Sequence, residues 1–417
     1  MPVDVLLKKL SKDYKCKVVS LEEFYERLGF SRKLLGLIKC VKVWDKVKPK
    51  LVVETELNTR FLRVMAYPKV SIIWLNHNSM KILPLVLQSL ESFTSIDYPS
   101  DRFELIVVDN GSTDGSFERI REFLERRSNL RKKIIRLNKN LGFTGGNNVG
   151  FMARDRESKY VLLLNNDAVL LQHGLKTLVE YSEGFEELGG LQGVILQYGT
   201  RLIDSAGDYV DELLRPYRLG ADHEYPWILR KPVYVSFTTG AVALYDVEAV
   251  LNCVGNKLFL DELFAYYDDI ALGLMLWSCG FSSISIPKVV AYHARSSTFR
   301  RIGSSGVYFF ERNRIATALI SNTRYKHMVL LHATRNIVTA MLKTELDVSK
   351  IEARALADGL ELGKLLRSRG ISIDLYKAPV MRVEPENLIH YFTSRHMVTR
   401  YREEWAIKNL ERLVVEH

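Results

Sequence analysis

The sequence predicts an α/β fold: a mainly parallel sheet flanked by helices, with helical extensions at its N- and C-terminal ends. Three observations predict it. Short apolar runs alternate with helical periods across residues 68–300. Polar clusters fall where those runs end. The flanks read as helix and lack the alternation. Divisions are therefore expected at 1–66, 67–300 and 301–417. A chain of 417 residues exceeds one ordinary core, and 47% hydrophobic with 26% charged residues marks a folded chain.

The elements follow in order. Residues 1–66 carry short amphipathic stretches (21–28 and 32–41) among many lysines and stop before Tyr67-Pro68. A β-rich run at 70–75 precedes helical spacing over 80–90. A strand at 103–108 leads through a turn into a helix over 116–125. A third strand at 133–137 is followed by a glycine-rich loop and a helix over 147–156. A fourth strand, 160–164, ends in Asn165-Asn166-Asp167. Strands and helices of these lengths make right-handed βαβ units, whose ligands bind beyond the carboxyl ends of the strands. Residues 301–417 read almost entirely as helix.

Four polar clusters are candidates for chemistry. Asp109-Asn110-Gly111-Ser112-Thr113-Asp114-Gly115 makes a tight turn into a capped helix, and the same residues serve plain turn formation. Asp109 ends an apolar run, where its carboxylate is placed to accept bonds from a base or ribose. The segment from Asn140 to Gly150 holds four glycines that let backbone approach a ligand, with Gly145 and Asn147 as candidate donor-binding residues. Its spacing is neither GxGxxG nor GxxxxGK[ST], so a dinucleotide site and a P-loop are both unsupported. Asp167 at a strand end suits Mg²⁺ or Mn²⁺, hard cations that bridge phosphates. Tyr266-Tyr267-Asp268-Asp269 opens a helix running to about Cys279. Acidic residues are favoured there by the helix dipole, and a carboxylate there also suits a general base.

In this order the segments resemble glycosyltransferase family 2, the inverting GT-A-fold enzymes, and especially its rhamnosyltransferase-like branch. The likeness covers roughly residues 69–322. It rests on Val70-Ser71-Ile72-Ile73-Trp74-Leu75-Asn76-His77-Asn78, on the Asp109 and Asn140 segments, and on Leu164-Asn165-Asn166-Asp167. It continues through Thr239-Gly240-Ala241, Phe264-Ala265-Tyr266-Tyr267-Asp268-Asp269, Tyr292-His293 and Glu311-Arg312-Asn313-Arg314. The resemblance implies a nucleotide-sugar donor whose base or ribose meets Asp109, with Asn76 and Asn78 flanking that pocket. Asn165-Asn166-Asp167 stands at the family's DxD-type motif, so Asp167 would bind the metal and Asn166 would lie near the ribose. Asp269 would be the catalytic base, beside Asp268 in substrate binding. Gly240 would line the donor-sugar or acceptor pocket, and His293 would reach the metal or diphosphate. In place of the family's apolar-Asp pair and later Arg, the helix has Ile270-Ala271 and then Met275-Leu276. That departure, with the basic balance of the chain, motivates the alternative of a catalytically weakened sugar-nucleotide-binding module associated with a membrane or nucleic acid.

The expected activity is therefore metal-assisted sugar transfer from the donor to a saccharide or lipid-linked acceptor. The formal charge of +10 favours anionic partners. No RNA-binding aromatic motif, zinc finger or arginine-rich tract is present, so no specific nucleic-acid partner is expected. Cys16, Cys40, Cys253 and Cys279 are scattered without CxxC spacing, which fits a reducing compartment. Residues 1–10 lack a signal-peptide core, and no apolar stretch reaches spanning length, so a cytoplasmic location is expected. The mixed apolar and basic helices from residue 327 onward leave three roles open: peripheral contact with the inner membrane face, a homodimer contact, or packing on the catalytic domain.

Overall fold

Val70 to Trp74 is an unbroken buried run because the strand that carries it is paired on both edges and covered on both faces. This strand is β1 (Lys69–Asn76), and β2 (Phe103–Asp109), β3 (Lys132–Arg136) and β4 (Ser158–Asn165) complete a parallel core in the order β3-β2-β1-β4. The remaining strands are β5 (Ala168–Leu170), β6 (Leu188–Gln197), β7 (Ile203–Ser205), β8 (Asp208–Val210), β9 (Pro216–Arg218), β10 (Val233–Tyr234), β11 (Val242–Asp246) and β12 (Ser282–His293). Beyond β4 the sheet continues as β11-β6-β12-β10. There β11 is antiparallel to both neighbours, while β6 and β12 are parallel. Strand β5 adds antiparallel to the far end of β12, and β7 to β6; β8 and β9 form a separate hairpin.

The computed structural model describes residues 42–43, 51–52, 67–295 and 304–415, and it divides at Tyr67 into two units. In the first, Lys42–Val43 pairs antiparallel with Leu51–Val52. The helical stretches expected over 21–28 and 32–41 lie outside the described residues.

Helices of the second unit are α1 (Leu83–Ser92), α2 (Ser116–Glu125), α3 (Gly142–Met152), α4 (Gly174–Ser182), α5 (Val247–Cys253), α6 (Asp268–Ser278), α7 (Ser304–Ile320), α8 (Lys326–Leu342), α9 (Leu346–Ser368), α10 (Leu388–Thr393) and α11 (Arg395–Asn409). The glycine-rich segment differs from expectation: it is the first two turns of α3, not a loop. Its glycines let the helix lie directly on the sheet. A Cβ on Gly146 would stand 2.5 Å from Leu75 Cδ1, and one on Gly150 2.5 Å from Ile73 Cγ2. Ile73 is fully buried and β-branched, so it has little room to yield. Gly150→Val is therefore expected to destabilise the fold by about 1–3 kcal/mol through overpacking. Urea unfolding checks this, and an unchanged midpoint would contradict the close packing of α3 on β1.

The C-terminal helices pack on α6 and on the sheet. Ile315, Leu366, Val383 and Tyr391 are buried in one cluster with Leu213, Tyr267 and Leu274, and Ala406 and Leu410 in another with Val194 and Leu196 of β6. Residues 370–387 hold no α-helix, although helix was expected; only the short 3₁₀ turns Leu375–Lys377 and Pro385–Asn387 occur there. Gly370 at φ +79 ends α9 in the left-handed conformation, and Pro379 and Pro385 follow. This segment is tied to β8 instead, where Met381 N–H donates to the Val210 carbonyl (2.9 Å). Among the described residues no helix is long and apolar enough to cross a membrane. Leu331, Val338, Met341 and Leu342 are exposed on α8. Its outer face is therefore apolar as well as basic.

Candidate active site

Two knots of polar side chains form at the carboxyl ends of the core strands. In the first, Asn76 and Asp109 face each other in register at the ends of β1 and β2. Asn76 Nδ2 donates to Asp109 Oδ1 (2.8 Å), and the Asn76 Oδ1 accepts from Asn166 Nδ2 (3.2 Å). Asp109 Oδ2 accepts the Ser112 N–H (3.1 Å), so both its oxygens are engaged and the carboxylate is fully buried. Asn78 is exposed and accepts the Thr113 N–H (2.8 Å), which shapes the neighbouring turn. Gly145 and Asn147 are buried within α3, where Asn147 Nδ2 donates to the Phe143 carbonyl (2.9 Å). Their neighbour Phe143, rather than either of them, lines the cleft described next.

The second knot joins Asp167 to His293. After β4 the chain turns through Asn166-Asp167 into β5, and β5 pairs with the end of β12 so that Ala168 lies opposite His293. That pairing brings Asp167 Oδ1 within 3.1 Å of His293 Nε2. The other ring nitrogen, Nδ1, lies 2.7 Å from Asp204 Oδ2. Burial opposes charge on this imidazole, but the hydrogen bonds to Asp167 and Asp204 outweigh it and lift its pKa to about 9. Burial would likewise raise Asp204. The hydrogen bond from His293 and the charges of His293, Arg218 and Arg295 instead hold it well below the usual carboxylate range.

A cleft of about 440 Å³ opens beside this knot. Asp268, Asp269, Gly240 and His293 line it together with Asn165, Asp208, Arg218 and Tyr266. Asp269 accepts the N–H groups of Gly240 (3.1 Å) and Ile270 (2.9 Å). Burial raises its pKa above the ordinary carboxylate value, and those two N–H groups limit the rise. Asp268 is more deeply buried, and desolvation together with the charge of Asp269 pushes its pKa well up. Of the two neighbouring carboxylates, Asp268 is the one that burial drives harder towards its protonated form. Ala271, Met275 and Leu276, the positions that depart from the family pattern, are buried in the core, on the packing face of α6.

The approach to the acidic pair is strained. Phe264, Tyr266 and Tyr267 have φ of +64°, +63° and +69°, a region that non-glycine residues rarely occupy. Helix α7 holds this loop by its carbonyls. Asn313 Nδ2 donates to Leu263 (2.9 Å), Ala265 (2.9 Å) and Tyr266 (2.7 Å), and Arg312 Nη2 to Glu262 and Leu263 (both 2.8 Å). From the other side Thr144 N–H donates to the Phe264 carbonyl (3.1 Å), over Gly142, where a Cβ would clash at 2.3 Å. The Arg312-Asn313 pair in the α7 motif is thus a clamp that aims Asp268 and Asp269.

Sequence reasoning missed Asp204, Asp208 and Arg218. Asp208 is 2% exposed; burial, with Asp269 and Asp204 adding to it, lifts its pKa to about 7 against the pull of Arg218. A signal was present: Asp204, Asp208, Asp211 and Glu212 interrupt an otherwise apolar stretch from Ile203 to Leu214. Charges inside such a run are rarely left unpaired.

Residues 71–200 match the family described as Glycosyl transferase family 2. An uncharacterized glycosyltransferase of Nostoc sp. is 30% identical over 139 residues, a match covering 33% of this chain and 40% of that protein's length. Among solved structures, the chain is similar to GalNAc-T7 with UDP, GalNAc and Mn²⁺ (13% identical, TM-score 0.54, covering 79% of this chain and 58% of that one). It is also similar to a mannosyltransferase of Pyrobaculum calidifontis in complex with GDP-Man and Mn²⁺ (18% identical, TM-score 0.46, covering 84% and 94%). Residues 71–200 thus match the glycosyl transferase family 2 model, and the strand order together with the likeness to GalNAc-T7 gives the chain a GT-A fold.

Proposed function

We propose that the chain is a glycosyltransferase that moves a sugar from a nucleotide-sugar donor to an acceptor hydroxyl, with inversion at the anomeric carbon. The observation that carries this reading is the convergence of Asp269, Asp268, Gly240 and His293 on one cleft, with Asp167 hydrogen-bonded to His293. The family match over residues 71–200 and the glycosyltransferase name of the Nostoc relative support the reaction class. In the proposed step Asp269 takes the proton of the acceptor hydroxyl. The acceptor oxygen bonds to the anomeric carbon from one face, and the nucleoside diphosphate leaves from the other. The raised basicity of Asp269 suits it to this transfer near neutral pH, and the two N–H groups fix the direction of its oxygens. Asp109, Asn76 and Asn166 form a rigid polar floor where the strands end, the position proposed for the nucleoside.

Asp167 and His293 would hold Mg²⁺ or Mn²⁺, the imidazolium giving up its Nε2 proton as the ion enters. Among the described residues no three acidic, histidine or cysteine side chains gather as a complete site. One carboxylate beside one imidazole fits an ion whose other ligands are donor phosphate oxygens and water. Such an ion, when bound, neutralises the charge on the departing diphosphate. Asp204 positions His293 for this role by accepting from Nδ1, which leaves Nε2 towards Asp167. The neighbour GalNAc-T7 was solved with UDP and Mn²⁺, which agrees with this pairing of nucleotide and cation.

A panel of UDP-, GDP-, dTDP- and CMP-sugars, incubated with the protein and Mn²⁺, tests the reading. At least one donor is expected to release its nucleotide above the enzyme-free rate, and chelation by EDTA is expected to suppress that release. Silence across the panel would overturn the proposal.

A further inference from the structure

A second cavity, of about 750 Å³, lies where α7, α8, α9, α10 and α11 meet the turn between β8 and β9. It adjoins the cleft, because Pro216 and Phe310 line both. Four guanidinium groups reach it. Two are neutralised: Arg314 Nη2 by Glu311 (2.7 Å) and Arg402 Nε by Asp211 (3.1 Å). The other two are not. The Arg215 guanidinium donates to the Tyr391 carbonyl, at 3.5 Å, and lies 5.1 Å over that ring; among the described residues no carboxylate is within ion-pair distance of it, although its backbone N–H donates to Asp211 (2.9 Å) and the charges of Asp211 and Glu311 act on it from farther off. Burial and the charge of Arg314 lower its pKa to about 10. Arg335 stands exposed at the rim, also without an ion pair among the described residues.

The remaining polar groups do not compensate. His332 is held neutral, its pKa pushed to about 2 by burial and by Arg215, Arg314 and Arg335. Glu352 is 8% exposed, and its Oε2 has no hydrogen-bond partner. Burial and then Glu311 raise its pKa to about 7, so it is partly protonated near neutral pH and able to donate. A half-buried guanidinium without an ion-pair partner, as at Arg215, favours an incoming anion, and planar N–H forks match phosphate and carboxylate oxygens.

We infer that this chamber is the acceptor subsite, and that it takes an acceptor carrying an oxyanion, a phosphate or a carboxylate, near Arg215 and Arg335. Glu352 meets the oxyanion or a saccharide hydroxyl beside it. The inference rests on the transferase reading above, which it extends to the class of acceptor. The donor diphosphate belongs at His293, which lines the other cavity, beside Asp167. Arg215 and Arg218 flank Pro216-Tyr217, roughly 10 Å apart along an extended strand. One acceptor molecule therefore bridges the two cavities, its anion in the chamber and its hydroxyl at Asp269.

Calorimetric titration of the full chain tests this, with glucose 1-phosphate, glucuronate and glucose as probes. The sugar phosphate, the uronate or both are expected to bind at least tenfold more tightly than glucose, and the preferred one identifies the anion. Arg215→Ala is expected to weaken that binding at least tenfold, and the rim variant Arg335→Ala at least threefold. Arg335 is exposed, so its variant reports even if Arg215→Ala fails to fold, which a thermal melt would show. Equal affinity for all three probes, or anion binding unchanged in Arg335→Ala and in a folded Arg215→Ala, would overturn the inference. The donor panel separates the two readings. Nucleotide release without anion binding sinks the chamber alone, whereas anion binding with a silent panel sinks the transferase reading.

Discussion

Asp269→Asn is expected to lower turnover on the order of 10²-fold or more while leaving donor affinity nearly normal. Asparagine keeps the volume of the side chain, and its carbonyl oxygen still accepts one of the two N–H groups of Gly240 and Ile270. What it removes is the lone pair that takes the acceptor proton. Asp268→Asn should cost less, because Asp268 is the member of the pair that burial and its neighbour drive towards the protonated form. Steady-state kinetics on both variants, with nucleotide titration as the control for donor binding, separates base from binder. Were Asp268→Asn the more damaging, the base would be Asp268.

Asp167→Ala should abolish the effect of Mn²⁺ on nucleotide affinity. Asn165 and Asn166 are neutral and cannot replace the lost charge, and Asn166 is already hydrogen-bonded to Asn76. Calorimetry with UDP, GDP and dTDP, each with and without Mn²⁺, provides the measurement. The unmodified protein is expected to bind one of them about tenfold or more tightly with the ion, equivalent to about 1.4 kcal/mol. The variant is expected to show no difference. A metal effect that survives the substitution would remove Asp167 from the proposed site.

Much of the parallel core was legible because its strands carry their own signal. Val70–Trp74, Leu105–Val108 and Val161–Leu164 are buried on both faces and so read as continuous apolar runs. The start of α3 was not legible, since glycine disfavours helix locally. What holds Gly142–Met152 helical is its close packing on Ile73 and Leu75, a tertiary contact. The candidate site divides in the same way. Strand-end position singled out Asp109 and Asp167, a helix start singled out the Asp268-Asp269 pair, and resemblance chose Asp269 within it and added Gly240 and His293. Asp204, Asp208 and Arg218 sit on three-residue strands, β7, β8 and β9, too short to show a period. The role of Arg312 and Asn313 was equally hidden, because the carbonyls they hold lie some fifty residues earlier in the chain.

The central claim is a single displacement in which Asp269 activates the acceptor and no glycosyl-enzyme forms. The anomeric configuration of the first-formed product tests it most directly. Once the donor panel supplies an active nucleotide sugar and the anion titration an acceptor, proton NMR of the fresh product gives the coupling at the transferred anomeric carbon. An α-linked donor is expected to yield a β-linked product, and a product that retains the donor's configuration would contradict the account.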